Sequence, residues 1–161
     1  MIVISDTTAI SSLFIINKLE LLKVLFHKVI IPNAVYEELL VLEQYDIDIS
    51  VIKNAGWIEV KASKNFSLIE ELSQELDIGE SEAIALAAEI EADLLIIDEK
   101  RGRLKAKELG IPTVGLIGII SQLKMKGHIR LVKPILDELR NTGFWISDTF
   151  YHKILEAEGE L

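Results

Sequence analysis

The sequence predicts an α/β fold, a three-layer sandwich with a mostly parallel central sheet, and three observations carry that expectation. Short β-branched apolar runs recur at 2–5, 29–31 and 94–97, and stretches with helical periodicity lie between them. Helices in those positions serve as crossover connections, which make neighbouring strands parallel and cover both faces of the sheet. The 161 residues, 50% of them apolar, are enough for one core, and neither a linker nor an internal repeat divides them. A single domain over 1–161 is therefore expected.

Each element has its own signal. IVIS at 2–5 reads as a strand ending on Asp6, and helical patterning follows over 8–25 with a break near Asn17. After the strand at 29–31, Pro32 opens a helix, where its fixed φ and missing N–H cost nothing. Val35, Leu39 and Leu42 form that helix's apolar stripe, and 44–50 reads as a polar loop. A strand is expected at 57–60 and a helix at 67–76. Asp77-Ile-Gly then interrupts before a helix at 80–91, whose Ala83, Ile84, Ala87 and Ala88 make a small-residue face. LLII at 94–97 is the clearest buried strand and ends on Asp98. A basic helix at 100–109 closed by Gly110 follows, then a strand at 113–115 and a helix at 116–125. Terminal helices are expected at 134–141 and 147–157, the second capped by Ser147 or Asp148. Phe144, Trp145, Ile146, Phe150 and Tyr151 either pack on the core or pair with another subunit.

Composition removes several function classes. With no Cys, disulfides, thiolate zinc sites and cysteine nucleophiles are impossible. His27, His128 and His152 are scattered, so any metal would sit on oxygen ligands. No apolar run approaches the roughly 18 residues of a membrane-spanning helix. The chain opens on Met-Ile-Val-Ile-Ser-Asp with no basic leader, so a cytoplasmic protein without a signal peptide is expected. The net charge of −9 hides a division: residues 1–99 hold 6 basic and 19 acidic side chains, and residues 100–153 hold 11 and 4. A polyanion approaching one face would feel that local balance.

Ligands of open parallel sheets bind outside the carboxyl ends of the strands. Asp6 and Asp98 follow strands, Glu38 lies one turn into the helix after the second strand, and Glu80 with Glu82 opens the helix before LLII. Two unit charges about 4 Å apart repel by roughly 4 kcal/mol at an effective dielectric of about 20. Such a cluster takes up protons or a metal. Mg²⁺ or Mn²⁺ suits carboxylate and water oxygens, and with bound water it supports phosphodiester cleavage. Each acid also has a plainer use: Asp6 as a helix cap, Glu37 and Glu38 as a solvated face, Glu80 and Glu82 as first-turn acids, Asp98-Glu99 as a turn.

IVISDTTAI, IPNAVYEEL, GESEAIALA and LLIID, in that order, resemble the PIN domain, in particular the small prokaryotic branch of VapC-like toxin ribonucleases. The resemblance covers residues 1–125, and the terminal helices match less well. It implies a metal-dependent ribonuclease with a flavodoxin-like parallel sheet, often dimeric, held inactive by a small antitoxin. By position it implies catalytic, metal-binding acids at Asp6, Glu38, Glu80 and Asp98, with Thr8 matching a hydroxyl residue two places after the first acid. Glu37 fits less well than Glu38. Glu80 stands 18 residues before Asp98, the family's usual spacing, and Glu82 is its alternative. Ile96 stands where many relatives carry Thr. A further downstream acid has no match, since Lys100, Arg101 and Arg103 follow, and Glu99 is the candidate substitute.

Arg101 and Arg103 begin close enough to Asp98 to guide a phosphate backbone, whereas a charged solvated helix face is their plainer reading. No aromatics interleave with these basic residues, so base stacking is not expected. Two alternatives stand beside the nuclease. One is a phosphoacceptor receiver, suggested by Asp98, IPTVG and Lys133-Pro134 but lacking paired acids after the first strand. The other is a PIN fold without catalysis that serves as a binding partner.

Overall fold

The computed structural model describes residues 1–161. Five strands form one parallel sheet: β1 (Val3–Ser5), β2 (Val29–Ile31), β3 (Ile58–Val60), β4 (Leu94–Ile96) and β5 (Thr113–Val114), in the order β3-β2-β1-β4-β5. β1 and β2 are buried at every position, which is why they read as unbroken apolar runs. The edge strands β3 and β5 are only partly covered, and their sequence signal is correspondingly weaker.

Successive residues of the central strands point to opposite layers. Val3, Val29, Ile31 and Ile96 join a core that includes Leu13 and Leu39 of α1 (Thr7–Ile15) and α3 (Asn33–Leu40). α2 (Glu20–Phe26), α8 (Leu116–Met125), α9 (Lys133–Asn141) and α10 (Asp148–Ala157) complete it with Leu22, Ile120, Leu136 and Leu155. Ile4, Ile30 and Leu95 face the other way, against α5 (Phe66–Leu72), α6 (Ile78–Glu89) and α7 (Lys100–Glu108). The three layers are those expected. The strand order differs in detail from the 2-1-3-4-5 of flavodoxins and receivers.

Several boundaries move for identifiable reasons. Asn17 sits at φ 59°, which ends α1 and separates it from α2. Residues 44–50 are not a simple loop: a 3₁₀ turn spans Val41–Tyr45, and a short α4 (Ser50–Lys53) buries Ile52. Helix α5 stops at Leu72 rather than 76. Asp77-Ile-Gly does not interrupt a helix but begins one, since the Asp77 carboxylate accepts the Glu80 N–H at 2.8 Å and caps α6. The small side chains of α6 let it pack on several sides at once, so Ala83 to Ala87 are all buried. Ile146 and Tyr151 join the core, whereas Trp145 stays outside it.

Chain direction across the sheet reverses beside β1: β2 and β3 lie on one side of it, β4 and β5 on the other. That switch point opens a crevice at the carboxyl ends of β1 and β4.

Candidate active site at the carboxyl edge of the sheet

Asp6 extends β1 by one residue, its amide donating to the Ile96 carbonyl of β4 at 2.9 Å. Its carboxyl group is buried and accepts the Thr7 N–H. Asp98 leaves β4 two residues past its end, and its Oδ1 accepts the Leu116 N–H at the start of α8, at 3.0 Å. Oδ2 of Asp98 is buried without a hydrogen-bond partner. Gly115 permits this approach: a Cβ there would stand 2.8 Å from Asp98 Oδ1 and 3.2 Å from Arg103 Nη1.

Glu38 of α3 is brought to the same edge by two bonds, from the Thr7 hydroxyl and from the Gly79 N–H. A Cβ at Gly79 would lie 2.6 Å from Glu38 Oε1, so a side chain there would displace the Glu38 carboxylate. Glu80 is buried in that first turn, hydrogen-bonded to Asp77.

The acids raise one another's proton affinity. Burial pushes the Asp6 carboxyl up to about 7, with Asp77, Glu38 and Asp98 adding repulsion against the Thr7 bond. Glu80 rises to about 8, through burial first, then the Asp77 hydrogen bond and the charges of Asp77, Asp6 and Glu99. Glu38 and Asp98 also lie above the ordinary carboxylate range, each chiefly by burial. Arg103 acts in the opposite sense on Asp98. This set of hard oxygen donors, crowded enough to hold protons and with one oxygen left unpartnered, fits a divalent cation. No three of the carboxylates stand at joint ligation spacing.

A cavity of about 760 Å³ opens over Glu80 and Asp98, with Thr8, Glu99 and Arg103 on its rim. Arg101 is exposed and outside the cavity lining. Glu82 lies elsewhere, its Oε1 accepting the Ala34 N–H at 3.1 Å and so serving the first turn of α3. Glu37 is exposed on the far side of α3 and lines a separate depression with Glu82. Lys105 of the basic helix is engaged by Glu75 at 3.2 Å.

Two residues escape the sequence reading. Thr7, not Thr8, anchors Glu38, and Asp77 adds a further acid. Asp77 had a signal: an Asp three residues before Glu80 is the mark of a helix N-terminus. Thr7 had none, because its partner lies 31 residues away.

Fold and site together define a class of protein, a three-layer α/β structure with acidic side chains gathered where the strand order of its parallel sheet reverses. The chain belongs to the PIN domain family (DUF3368, PIN domain), whose profile matches residues 2–160. PIN domains are generally nucleases. Among solved structures, the chain is similar to a PilT N-terminus domain protein from the hyperthermophilic archaeon Sulfolobus solfataricus P2. The identity is 25%, the TM-score is 0.56, and the match covers 76% of this chain and 92% of that one. No curated protein matches significantly. Family membership and the strand order set aside the receiver alternative. No helix is long and apolar enough to cross a membrane.

Proposed function

We propose that this chain is a divalent-metal-dependent endoribonuclease, a hydrolase of RNA phosphodiesters, acting as one domain over 1–161. In this reading Asp6, Glu38, Glu80 and Asp98 are its catalytic, metal-ligating acids, and Thr8, Arg101 and Arg103 contact the substrate. One observation carries the reading: the buried, unpartnered Oδ2 of Asp98 beside an Asp6 whose ionisation burial and three neighbouring acids oppose. A cation is the partner that such a set lacks. Mg²⁺ or Mn²⁺ suits the donors and, keeping its waters, binds directly through only one or two carboxylates, which agrees with the spacing here.

When bound, the ion lowers the pKa of water and offsets charge developing on the phosphate. The chain's own groups do the rest. The Leu116 N–H fixes the rotation of Asp98, and the Thr7 hydroxyl with the Gly79 N–H fixes Glu38. Asp77 and Glu99 strengthen the negative field around Glu80. Arg103, at the cavity rim, offers a guanidinium to a phosphate oxygen once the acids are neutralised. The likeness of the sequence motifs to VapC-like toxins extends the proposal to a cytoplasmic homodimer restrained by a small antitoxin.

Labelled single-stranded RNA tests the proposal. Wild-type protein with Mn²⁺ cleaves it and EDTA stops cleavage, whereas Asp6→Asn and Asp98→Asn each lower the rate at least about 100-fold with an unchanged circular-dichroism spectrum. A variant that retains wild-type activity removes its residue from the catalytic set. RNA binding without cleavage by the wild type returns the protein to the class of inactive PIN folds.

A further inference from the structure

The cavity above Asp98 has a second wall to which no acid contributes. Phe144 and Trp145, between α9 and α10, and Phe150, in the first turn of α10, line the same space as Arg103 and Thr8. Trp145 is 84% exposed and Phe150 49%. Large apolar side chains held in solvent mark a binding surface when they adjoin a polar cavity.

Fixed neighbours on both sides hold Trp145 in this position. Phe144 packs against the core before it and Ile146 is buried after it. Ser147 Oγ then accepts the Phe150 N–H at 3.1 Å and starts α10. One turn on, the Tyr151 hydroxyl donates to Asp137, and its ring lies 4.5 Å beneath the Arg140 guanidinium.

Rings beside a basic side chain and a cluster of acids suit a ligand with one charged and one uncharged part. A nucleotide is such a ligand: its phosphate goes to Arg103 and the cation, and the face of its base goes to the rings. The cavity volume of about 760 Å³ also lies within the range of small-ligand sites. We propose that Trp145, flanked by Phe150, stacks an unpaired nucleobase of single-stranded RNA next to the phosphate at the acids. The inference rests on the nuclease reading, and it makes a base-paired substrate a poor fit because paired bases hide their faces.

Binding and cleavage are measured separately. Asp98→Asn protein is titrated into a fluorescein-labelled, mixed-sequence single-stranded oligoribonucleotide whose anisotropy gives Kd for every variant. Quenching of Trp145 over the constant background of buried Trp57 is read with unlabelled RNA in the protein that keeps Trp145. Stacking predicts quenching, a Kd raised about 5- to 150-fold by Trp145→Ala, and near wild-type affinity in Trp145→Phe. With Asp98 intact and Mn²⁺ present, Trp145→Ala raises KM by a similar factor and leaves kcat within about threefold. A duplex of the same sequence binds more weakly.

Absence of quenching, or an unchanged Kd and KM in Trp145→Ala, overturns the stacking proposal even when the wild type cleaves RNA. Quenching by a protein that does not cleave supports stacking and removes the nuclease reading instead. A dimer that Trp145→Ala dissolves without changing Kd assigns the wall to a second copy of the chain and overturns the proposal.

Discussion

A carboxyl group buried behind the first strand, among three other acids, holds its proton well above the usual range, and Asp6 titrates at about 7. Linkage turns this into stability. A raised folded-state pKa contributes stability that is fully present below the unfolded value and is lost as pH rises through the folded one. For Asp6 the loss is complete above about 7, and for Glu80 above about 8. Asp137, held low by Lys133 and Tyr151, loses its contribution only below the ordinary carboxylate range, so it does not tilt the window from pH 5 to 9. Metal-free protein is therefore most stable near the acid end of that window. Asp6→Asn, which keeps an oxygen for the Thr7 N–H, has its smaller advantage at pH 5, where the wild type has lost only part of this contribution, and gains roughly a further 5 °C or more on wild type between pH 5 and pH 8. Equal melting temperatures for the two proteins at both pH values contradict the shift. At this scale much of the candidate site was legible, because Asp6 and Asp98 sit where apolar runs stop. The choice between Glu80 and Glu82 was not, because it depends on which acid faces the sheet edge and which meets the Ala34 N–H on α3.

Acids at helix starts organise the elements. Asp6 precedes α1, Asp77 caps α6, Asp98 receives the first amide of α8, and Glu82 receives an amide in the first turn of α3. Helix N-termini with their free N–H groups thus hold several carboxylates in fixed positions, which offsets part of their mutual repulsion. Asp77 separates the two effects. Asp77→Ala loses the cap and costs about 1 kcal/mol, seen at pH 5 as a melting temperature roughly 2–4 °C lower. Asp77→Asn retains an acceptor, melts like wild type at pH 5, and weakens the fall in stability between pH 5 and 9 because one repelling charge is gone. If both variants melt alike at pH 5, Asp77 is not a cap. Periodicity found the long helices and the central strands without difficulty. It missed α4, whose four residues are fewer than two turns, and misread Asp77-Ile-Gly as a break because a glycine in a first turn looks like one.

Across the whole molecule, the reversal of strand order beside β1 brings residues from distant parts of the chain to one rim. Residues 6, 38, 80 and 98 could be matched to that rim from sequence, since Asp6 and Asp98 lie next to strands, Glu80 opens a helix and Glu38 stands one turn into the helix that follows β2. The aromatic wall could not. Phe144 and Trp145 link the two terminal helices and Phe150 opens the second, on a return path that depends on long-range packing, with Ile146 and Tyr151 buried and Trp145 left outside. Local pattern states that such residues are apolar, not which cavity they reach. In the proposed reading, the same return joins the surface that takes a base to the one that takes a phosphate and its cation. The most direct measurement of that cation is a crystal soaked with Mn²⁺ and examined by anomalous scattering. One peak is expected in contact with Asp6 or Asp98 and within a water's reach of Glu38 or Glu80. Full-occupancy Mn²⁺ bound only elsewhere, with these four carboxylates still free of it, contradicts the account.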